Sequence, residues 1–188
     1  MAQPSGVHET GGTPEGCWVT MKHGLAPVVD ENSRVLILGT LPGDESIRQQ
    51  QYYADPSNRF WAPLVGAFSA PLGSSYPERL SFLGTRRVAL WDVLESAERA
   101  GSKDSAIANP KPNDFEDLFA EFPCLLRVGF NGTKAEALWI KHIRSNTAVP
   151  HKLLATKVLP SSSGTPGRHV LPDDEKMVRW AGFLRAPE

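Results

Sequence analysis

The chain has 188 residues, of which 40% are hydrophobic and 22% are charged, which is the composition of an ordinary globular protein with a buried core. Its formal net charge is −1, which excludes a general polycation, so any binding of nucleic acid has to come from a local basic patch. No apolar run is long enough to span a bilayer, and the N-terminus lacks the basic start and apolar stretch of a signal peptide. We therefore expect a cytoplasmic protein.

The sequence gives little indication of a metal centre and lacks three familiar functional motifs. Its two cysteines, Cys17 and Cys124, cannot supply the four ligands of an iron–sulfur cluster or a cysteine-rich zinc site. The five histidines show no metal-ligand spacing. There is no G-x-S-x-G elbow, and neither phosphate-cradling glycine pattern is present. We expect free thiols, no metal and no cofactor.

The predicted elements follow one another in a regular order. Residues 1–16 are rich in Gly, Pro and Thr and predict a disordered tail, with a single domain over residues 17–188. A strand-like pattern begins at Cys17. Four apolar runs then indicate parallel strands buried on both faces, at residues 35–38, 87–91, 125–129 and 153–159. Helical patterns lie between and after these runs, at residues 58–68, 76–83, 113–121, 133–144 and 173–184.

This alternation predicts an α/β fold, a three-layer α/β/α sandwich with a central, mostly parallel four-stranded sheet. Residues 101–112, GSKDSAIANPKP, are expected to form a long polar loop. Such loops in a compact domain are often functional.

Each predicted strand ends in a segment suited to binding. These segments are GTLPGD at residues 39–44, Asp92, GFNGTK at residues 129–134 and LPSSSGTPGR at residues 159–168. Because ligands bind at the carboxyl edge of a parallel sheet, we expect the four segments to line one cleft. Simpler interpretations stay open, since glycine and proline are ordinary turn residues and Asp92 could cap a helix. The helix start beside Lys134 is suited to binding a phosphate.

Two of these segments, together with residues 53–61, resemble the uracil-DNA glycosylase superfamily. Gly39-Thr-Leu-Pro-Gly43 looks like its first motif, and Tyr53-Ala-Asp-Pro-Ser-Asn-Arg-Phe-Trp61 is similar to the A-H-P-x-N-x-F-W segment of the mismatch-specific branch. Leu159-Pro-Ser-Ser-Ser-Gly-Thr165 looks like the second motif, the loop that enters the DNA minor groove. Their order and spacing most resemble the hypoxanthine-DNA glycosylase branch, often called family six, over about residues 34–168.

The resemblance implies where the attacking water is held. Many members carry Asn or Asp before the first-motif proline, but this chain has Leu41 there, which can neither position nor activate water. The family-six branch is thought to use an Asn in the following segment, which by position is Asn58. Asn58 could instead cap the helix that follows it. Asp44 and Asp55 are the alternative water-handling groups.

The resemblance also implies the groups that hold the base and the DNA. Tyr53 is the expected stacking platform, and Asp92 stands where classical uracil enzymes carry a base-reading Asn. A carboxylate there could accept a hydrogen bond from the ring N–H that uracil, hypoxanthine and xanthine share. The expected base-binding residues are Gly39, Thr40, Leu41, Tyr53 and Asp92. The expected DNA-binding residues are Asn131, Lys134, Ser161, Ser162, Ser163, Gly164, Thr165 and Arg168, and a basic rim would include Lys157 and His169.

The function implied is a monofunctional DNA glycosylase of base excision repair that hydrolyses the N-glycosidic bond of deaminated bases. The expected partner is DNA carrying such a base. We expect a nucleoid-associated monomer without an iron–sulfur cluster, a cofactor or membrane contact. Two alternatives stay open, a non-catalytic DNA- or nucleotide-binding module of the same fold and a hydrolase acting on a free nucleoside or small ester. The sequence does not choose among the deaminated bases.

Overall fold

The computed structural model describes residues 20–146, 148–150, 154–163 and 171–186. The tail predicted for residues 1–16 lies outside these ranges. Three of the expected DNA-binding residues, Gly164, Thr165 and Arg168, also lie outside them.

A four-stranded parallel sheet forms the centre of the fold, and it confirms the predicted class. Its strands are β2 (Val35–Gly39), β3 (Val88–Asp92), β6 (Arg127–Asn131) and β7 (Ala155–Leu159), in the spatial order β3-β2-β6-β7. Every residue of β2 and β3 is buried, as expected for strands that are covered by helices on both faces. The strands pair in register, so that Gly39 lies beside Asp92 and Asn131 lies beside Leu159. Their carboxyl ends therefore meet at one edge, as the sequence predicted.

Six helices accompany the strands in the described part of the chain: α1 (Asp44–Gln49), α2 (Trp61–Phe68), α3 (Tyr76–Thr85), α4 (Phe115–Glu121), α5 (Thr133–His142) and α6 (Asp173–Leu184). Two of them begin at clear capping residues. Ser75 and Glu78 form a reciprocal capping box at the start of α3, and Asp114 accepts from the Asp117 N–H at the start of α4. None of the helices described is long and apolar enough to cross a membrane.

The helix predicted from residue 58 begins later in the structure, at Trp61. Asn58 Oδ1 accepts a hydrogen bond from the Phe60 N–H at 3.0 Å. This bond closes a short side-chain turn that precedes the helix. Helix α1, which the sequence analysis did not predict, is six residues long and follows the GTLPG turn directly. The segment between α1 and α2 therefore stays irregular and reaches the edge of the sheet.

A second, antiparallel sheet was not predicted. It joins β1 (Thr20–His23), β4 (Leu94–Arg99) and β5 (Ala108–Pro112) in the order β1-β4-β5. The expectation of one long polar loop over residues 101–112 was therefore wrong for its second half, which forms β5. The sequence ANPKP of β5 contains two prolines. Because prolines are unusual inside a strand, the sequence pattern did not predict β5. The short 3-10 turn Asp104–Ala106 precedes β5, and this small sheet carries it to the carboxyl edge of the parallel sheet.

Candidate active site

A cavity of about 440 Å3 opens at the carboxyl edge of the parallel sheet. It lies among the ends of β2, β3, β6 and β7, the irregular segment after α1 and residues 102–105, which connect β4 to β5. Twelve of the residues proposed from sequence line it: Gly39, Thr40, Leu41, Asp44, Tyr53, Asp55, Asn58, Asp92, Asn131, Ser161, Ser162 and Ser163. The structure thus brings both motif segments and Asp92 to one concave site.

Hydrogen bonds to its first four carbonyl groups hold the GTLPG turn in place. Those of residues 39 and 40 accept from the backbone N–H groups of Val93 and Leu94 at 3.0 and 3.1 Å. The next two accept from Arg99, whose Nη1 donates to Leu41 O at 3.1 Å and whose Nη2 donates to Pro42 O. Arg99 is 0% exposed. Because every one of these acceptors is occupied, the backbone of the turn has a fixed orientation.

Gly39 is required by the close approach of Asp92. A Cβ atom on residue 39 would lie 2.3 Å from Asp92 Oδ1 and 3.4 Å from Tyr53 Oη. No side chain fits there without displacing the carboxyl group. The end of β2 therefore leaves space that the Asp92 carboxyl fills.

Asp92 is a buried acid, 4% exposed, and its Oδ2 has no hydrogen-bond partner among the residues described. Burial, and secondly the negative charge of Asp104, raise the pKa of Asp92 to about 7, while the positive charge of Arg99 opposes them. The group therefore exists as both acid and carboxylate at neutral pH. From the sequence, only the carboxylate form of Asp92 was expected.

Tyr53 stands beside Asp92 in a constrained conformation. Its φ of 54° is in the left-handed region, which a residue with a Cβ rarely adopts. Its ring stacks on Phe60 with centroids 3.6 Å apart and an interplanar angle of 7°. Burial raises the pKa of Tyr53, so its hydroxyl stays neutral at physiological pH. One face of the ring is thus fixed against the protein core.

Asn131 joins Tyr53 to the second motif. Its Nδ2 donates to Tyr53 Oη at 3.2 Å and to Ser162 Oγ at 2.8 Å, and its Oδ1 accepts from the Ser162 N–H at 2.9 Å. Ser162 O accepts from the Arg59 N–H at 3.0 Å. Ser162 is 5% exposed. Both side chains, proposed from sequence as DNA contacts, are therefore engaged with the protein, because they follow neighbouring paired strands.

The three proposed water-handling groups differ in their surroundings. Asn58 is half-buried, and its Oδ1 accepts from Phe60 at the entry to α2. Asp55 is exposed, and hydrogen bonds from Ser57 hold its pKa below the usual value. Asp44 is exposed and forms an ion pair with Lys22. Asn58 is the least exposed of the three and the only uncharged one.

Arg99 and Asp104 are site residues that the sequence analysis missed. Thr40 Oγ1 donates to Asp104 Oδ1 at 2.6 Å, and Arg99 Nη1 lies 3.9 Å from the same oxygen. Neither belongs to a local motif, since both reach the site through tertiary contacts of the unpredicted sheet. The one available signal was the polar segment 101–112, which the sequence analysis noted as a candidate functional loop without assigning its residues.

Three further proposed DNA contacts that the structure describes are exposed. Lys134 is exposed in the first turn of α5 and does not line the cavity. Ser161 and Ser163 are exposed at the start of the second motif. Within the ranges that the structure describes, no three His, Cys, Asp or Glu side chains are placed to hold a metal ion.

Comparison with known proteins agrees with this geometry. The sequence model of the family described as "Uracil DNA glycosylase superfamily" matches residues 26–163. A protein of Methanosarcina acetivorans named hypoxanthine DNA glycosylase is 42% identical over 149 residues, which cover 79% of this chain and 90% of that protein. One of the same name from Methanosarcina barkeri is 44% identical over 115 residues, covering 61% and 73%.

A solved structure shows the same fold. It is a solution NMR structure of a Methanosarcina acetivorans protein described as a candidate uracil DNA glycosylase, and it is similar at a TM-score of 0.74 and 39% identity. The match covers 88% of this chain and 98% of that one. The chain belongs to the uracil-DNA glycosylase superfamily. Within it, the two relatives at 42% and 44% identity support the hypoxanthine-DNA glycosylase branch.

Proposed function

We propose that this protein is a DNA glycosylase that hydrolyses the N-glycosidic bond of deaminated bases in DNA, with hypoxanthine, uracil and xanthine as candidates. The observation that carries the proposal is the cavity in which Tyr53, Asn58 and Asp92 surround the GTLPG turn. Its volume of about 440 Å3 falls within the usual range for small-ligand pockets. The relatives named hypoxanthine DNA glycosylase support the same activity.

The base has to leave the helix to reach such a cavity. Tyr53 offers a ring on which the extruded base can stack, and its position is fixed by Phe60. Asp92 meets the polar edge of the base at the end of β3, and backbone groups of Thr40 and Leu41 form the floor. Together these groups provide the stacking and the edge recognition that a flipped base requires.

Asn58 is proposed to hold the attacking water against the anomeric carbon. An amide is a weak base, but a loose transition state with a cationic sugar and an anionic leaving base does not need a strong one. Most of the rate then comes from dipoles and charges arranged around the separating charges. Asp44 and Asp55 are the alternatives, and the ion pair of Asp44 with Lys22 makes it the less available of the two.

DNA is proposed to lie across the rim of the cavity. The exposed Ser161 and Ser163 lie in the second-motif loop, and the exposed Lys134 of α5 and Lys157 of β7 supply positive charge. Phosphate contacts of this kind predict affinity that falls as salt rises. We expect a nucleoid-associated monomer in the cytoplasm. We also expect no iron–sulfur cluster, since the chain has only two cysteines.

The test is base release from matched oligonucleotides that carry uracil, hypoxanthine, xanthine or no lesion, as single and double strands. Release of an intact free base, detected by mass spectrometry, together with alkali-sensitive cleavage only at the lesion, is the expected result. Strand breaks without a free base would indicate a nuclease. Binding to lesion-containing DNA with no base released from any substrate would move the assignment to a non-catalytic module.

Replacing Tyr53 with alanine is expected to lower the excision rate at low enzyme concentration about 10- to 100-fold, because base–aromatic stacking is worth about 1–3 kcal/mol. Tyr53→Phe keeps the ring and removes only the hydroxyl that accepts from Asn131, so its rate should stay near that of the wild type. The measurement is a single-turnover time course on the preferred lesion. Equal rates for the alanine and phenylalanine variants would show that the ring does not carry the base.

A further inference from the structure

The carboxyl group of Asp92 lies in the cavity without a cation beside it. It is 4% exposed, and its Oδ2 has no partner in the described part of the chain. No described Lys, Arg or His nitrogen lies within ion-pair distance of it. Instead, the Nη atoms of the nearby Arg99 donate hydrogen bonds to the carbonyl oxygens of Leu41 and Pro42. A buried carboxylate in this position would be poorly compensated, which favours the protonated form.

Of the charged groups near Asp92, Asp104 strengthens this preference and Arg99 opposes it. From the 3-10 turn, Asp104 adds a second negative charge, and from β4, Arg99 adds an opposing positive one. From the segment after α1, the hydroxyls of Tyr52 and Tyr53 are neutral, since burial raises the pKa of both. Four more ionisable side chains line the cavity, Asp44 paired with Lys22, Glu45 paired with Arg48, Asp55 and Lys103.

The chemistry of base excision distinguishes the two forms of Asp92. When the C1′–N bond breaks, its electron pair stays on the base, and negative charge spreads to the carbonyl oxygens of the base. A neutral carboxylic acid can donate a hydrogen bond to such an oxygen and stabilise it. A carboxylate in the same place can only accept from an N–H, and its charge opposes the charge that develops. Enzymes do keep a carboxylic acid neutral at pH 7 for donation of this kind.

We propose that Asp92 acts in its neutral form, donating a hydrogen bond to a carbonyl oxygen of the departing base, and that Asp104 is the positioning residue that keeps Asp92 neutral. This inference rests on the proposed glycosylase function. Water adds its oxygen to C1′ and releases one proton to solvent, and the departing base takes up one proton from solvent. Asp92 keeps its own proton and is unchanged at the end of the cycle.

The proposal sets the direction of the pH profile. The pKa of Asp92 lies at about 7 in the free protein, so the active neutral form prevails below that pH and is lost above it. The excision rate at subsaturating enzyme, which reports the free protein, should fall by about tenfold per pH unit on the alkaline side. If Asp92 instead acted as a carboxylate that accepts from an N–H of the base, the rate would fall on the acid side.

Asp92→Asn tests the neutral form directly, because an amide donates a hydrogen bond at every pH. Between pH 5.5 and 8.5, the wild type is expected to lose rate toward high pH, whereas Asp92→Asn is expected to stay flat and to exceed it at pH 8.5. A wild-type profile that falls toward low pH instead would overturn the proposal. So would an Asp92→Asn variant that is folded but slow at every pH.

Asp104→Asn tests the positioning role and does not depend on the folding of the Asp92 variant. It keeps an oxygen that can accept from Thr40 Oγ1 and removes only the negative charge. The alkaline fall is expected to move to lower pH, so that the variant matches the wild type at pH 5.5 and is several-fold slower at pH 8. Glu121→Gln, an exposed charge removal at the end of α4, is the matched control and should leave the profile in place.

The outcomes separate this inference from the proposed function. If the wild type releases no base from any lesion, the glycosylase assignment itself fails. If it releases base but Asp104→Asn leaves the profile unmoved, or moves it to higher pH, only the role of Asp104 fails. If the wild-type rate is flat over the whole range, the titration of Asp92 does not control excision, and the proposal is overturned while the function stands.

Discussion

Asn58→Ala is expected to slow base excision about 100- to 1,000-fold under single-turnover conditions, with DNA binding retained. The magnitude is that of removing one well-placed polar group from a transition state dominated by electrostatics. The variant also removes the hydrogen bond from the Phe60 N–H, which costs about 1 kcal/mol of stability, as the loss of a helix cap does. The measurements are the excision rate, the affinity for lesion-containing DNA and the midpoint of urea unfolding.

Asn58→Ser separates catalysis from the hydrogen bond that Asn58 makes in the turn before α2. A serine hydroxyl can accept the same local hydrogen bond from the Phe60 N–H, so this variant should unfold at the wild-type midpoint, but its shorter side chain cannot hold water in the same place. It is therefore expected to be nearly as slow as Asn58→Ala. Recovery of the wild-type rate by serine would mean that Asn58 only stabilises the turn before α2. In that case Asp55→Asn and Asp44→Asn become the variants to compare, with Asn32→Ala as an exposed control.

The central sheet could be predicted from sequence because its strands are buried on both faces. Runs such as Val35–Gly39 are continuously apolar, and a strand covered on both faces needs this composition whatever surrounds it. The antiparallel sheet could not be predicted in the same way. Strand β4 has the sequence LESAER with a fully buried arginine at its end. Its strand conformation depends on pairing with β1 and β5 and on the carbonyl groups that Arg99 meets.

The part of the candidate site that lies at the carboxyl ends of the parallel strands could be predicted from sequence. Gly39, Asp92 and Asn131 each end a parallel strand, and the structure brings them to one cavity. The hydrogen-bond partners and charged neighbours of these side chains could not be predicted, because they depend on tertiary contacts. Asn131 supports Tyr53 and Ser162 within the protein. Burial and, secondly, the charge of Asp104, 12 residues away in sequence, raise the pKa of Asp92.

Arg99→Met is expected to destabilise the fold by about 3 kcal/mol, because it leaves the buried carbonyls of Leu41 and Pro42 without donors, and each such loss costs about 1–3 kcal/mol. For a protein of this size, the unfolding temperature should fall by about 6–12 °C. Excision should fall as well, since the carbonyl groups that orient the GTLPG turn lose half of their partners. The measurements are thermal unfolding and the single-turnover rate of the folded variant at low temperature.

Arg99→Lys distinguishes charge from geometry. It keeps a positive charge near Asp104 but lacks the planar fork that donates to two carbonyls at once, so it is expected to lie between the wild type and Arg99→Met in both measurements. Arg179→Met, which breaks an exposed ion pair with Glu175 on α6, should cost less than about 0.5 kcal/mol. If Arg99→Met were as stable as this control, Arg99 would not be the group that holds the turn, and its burial would need another cause. If Arg99→Met were unstable but fully active when folded, the turn would be fixed by the N–H groups of Val93 and Leu94 alone.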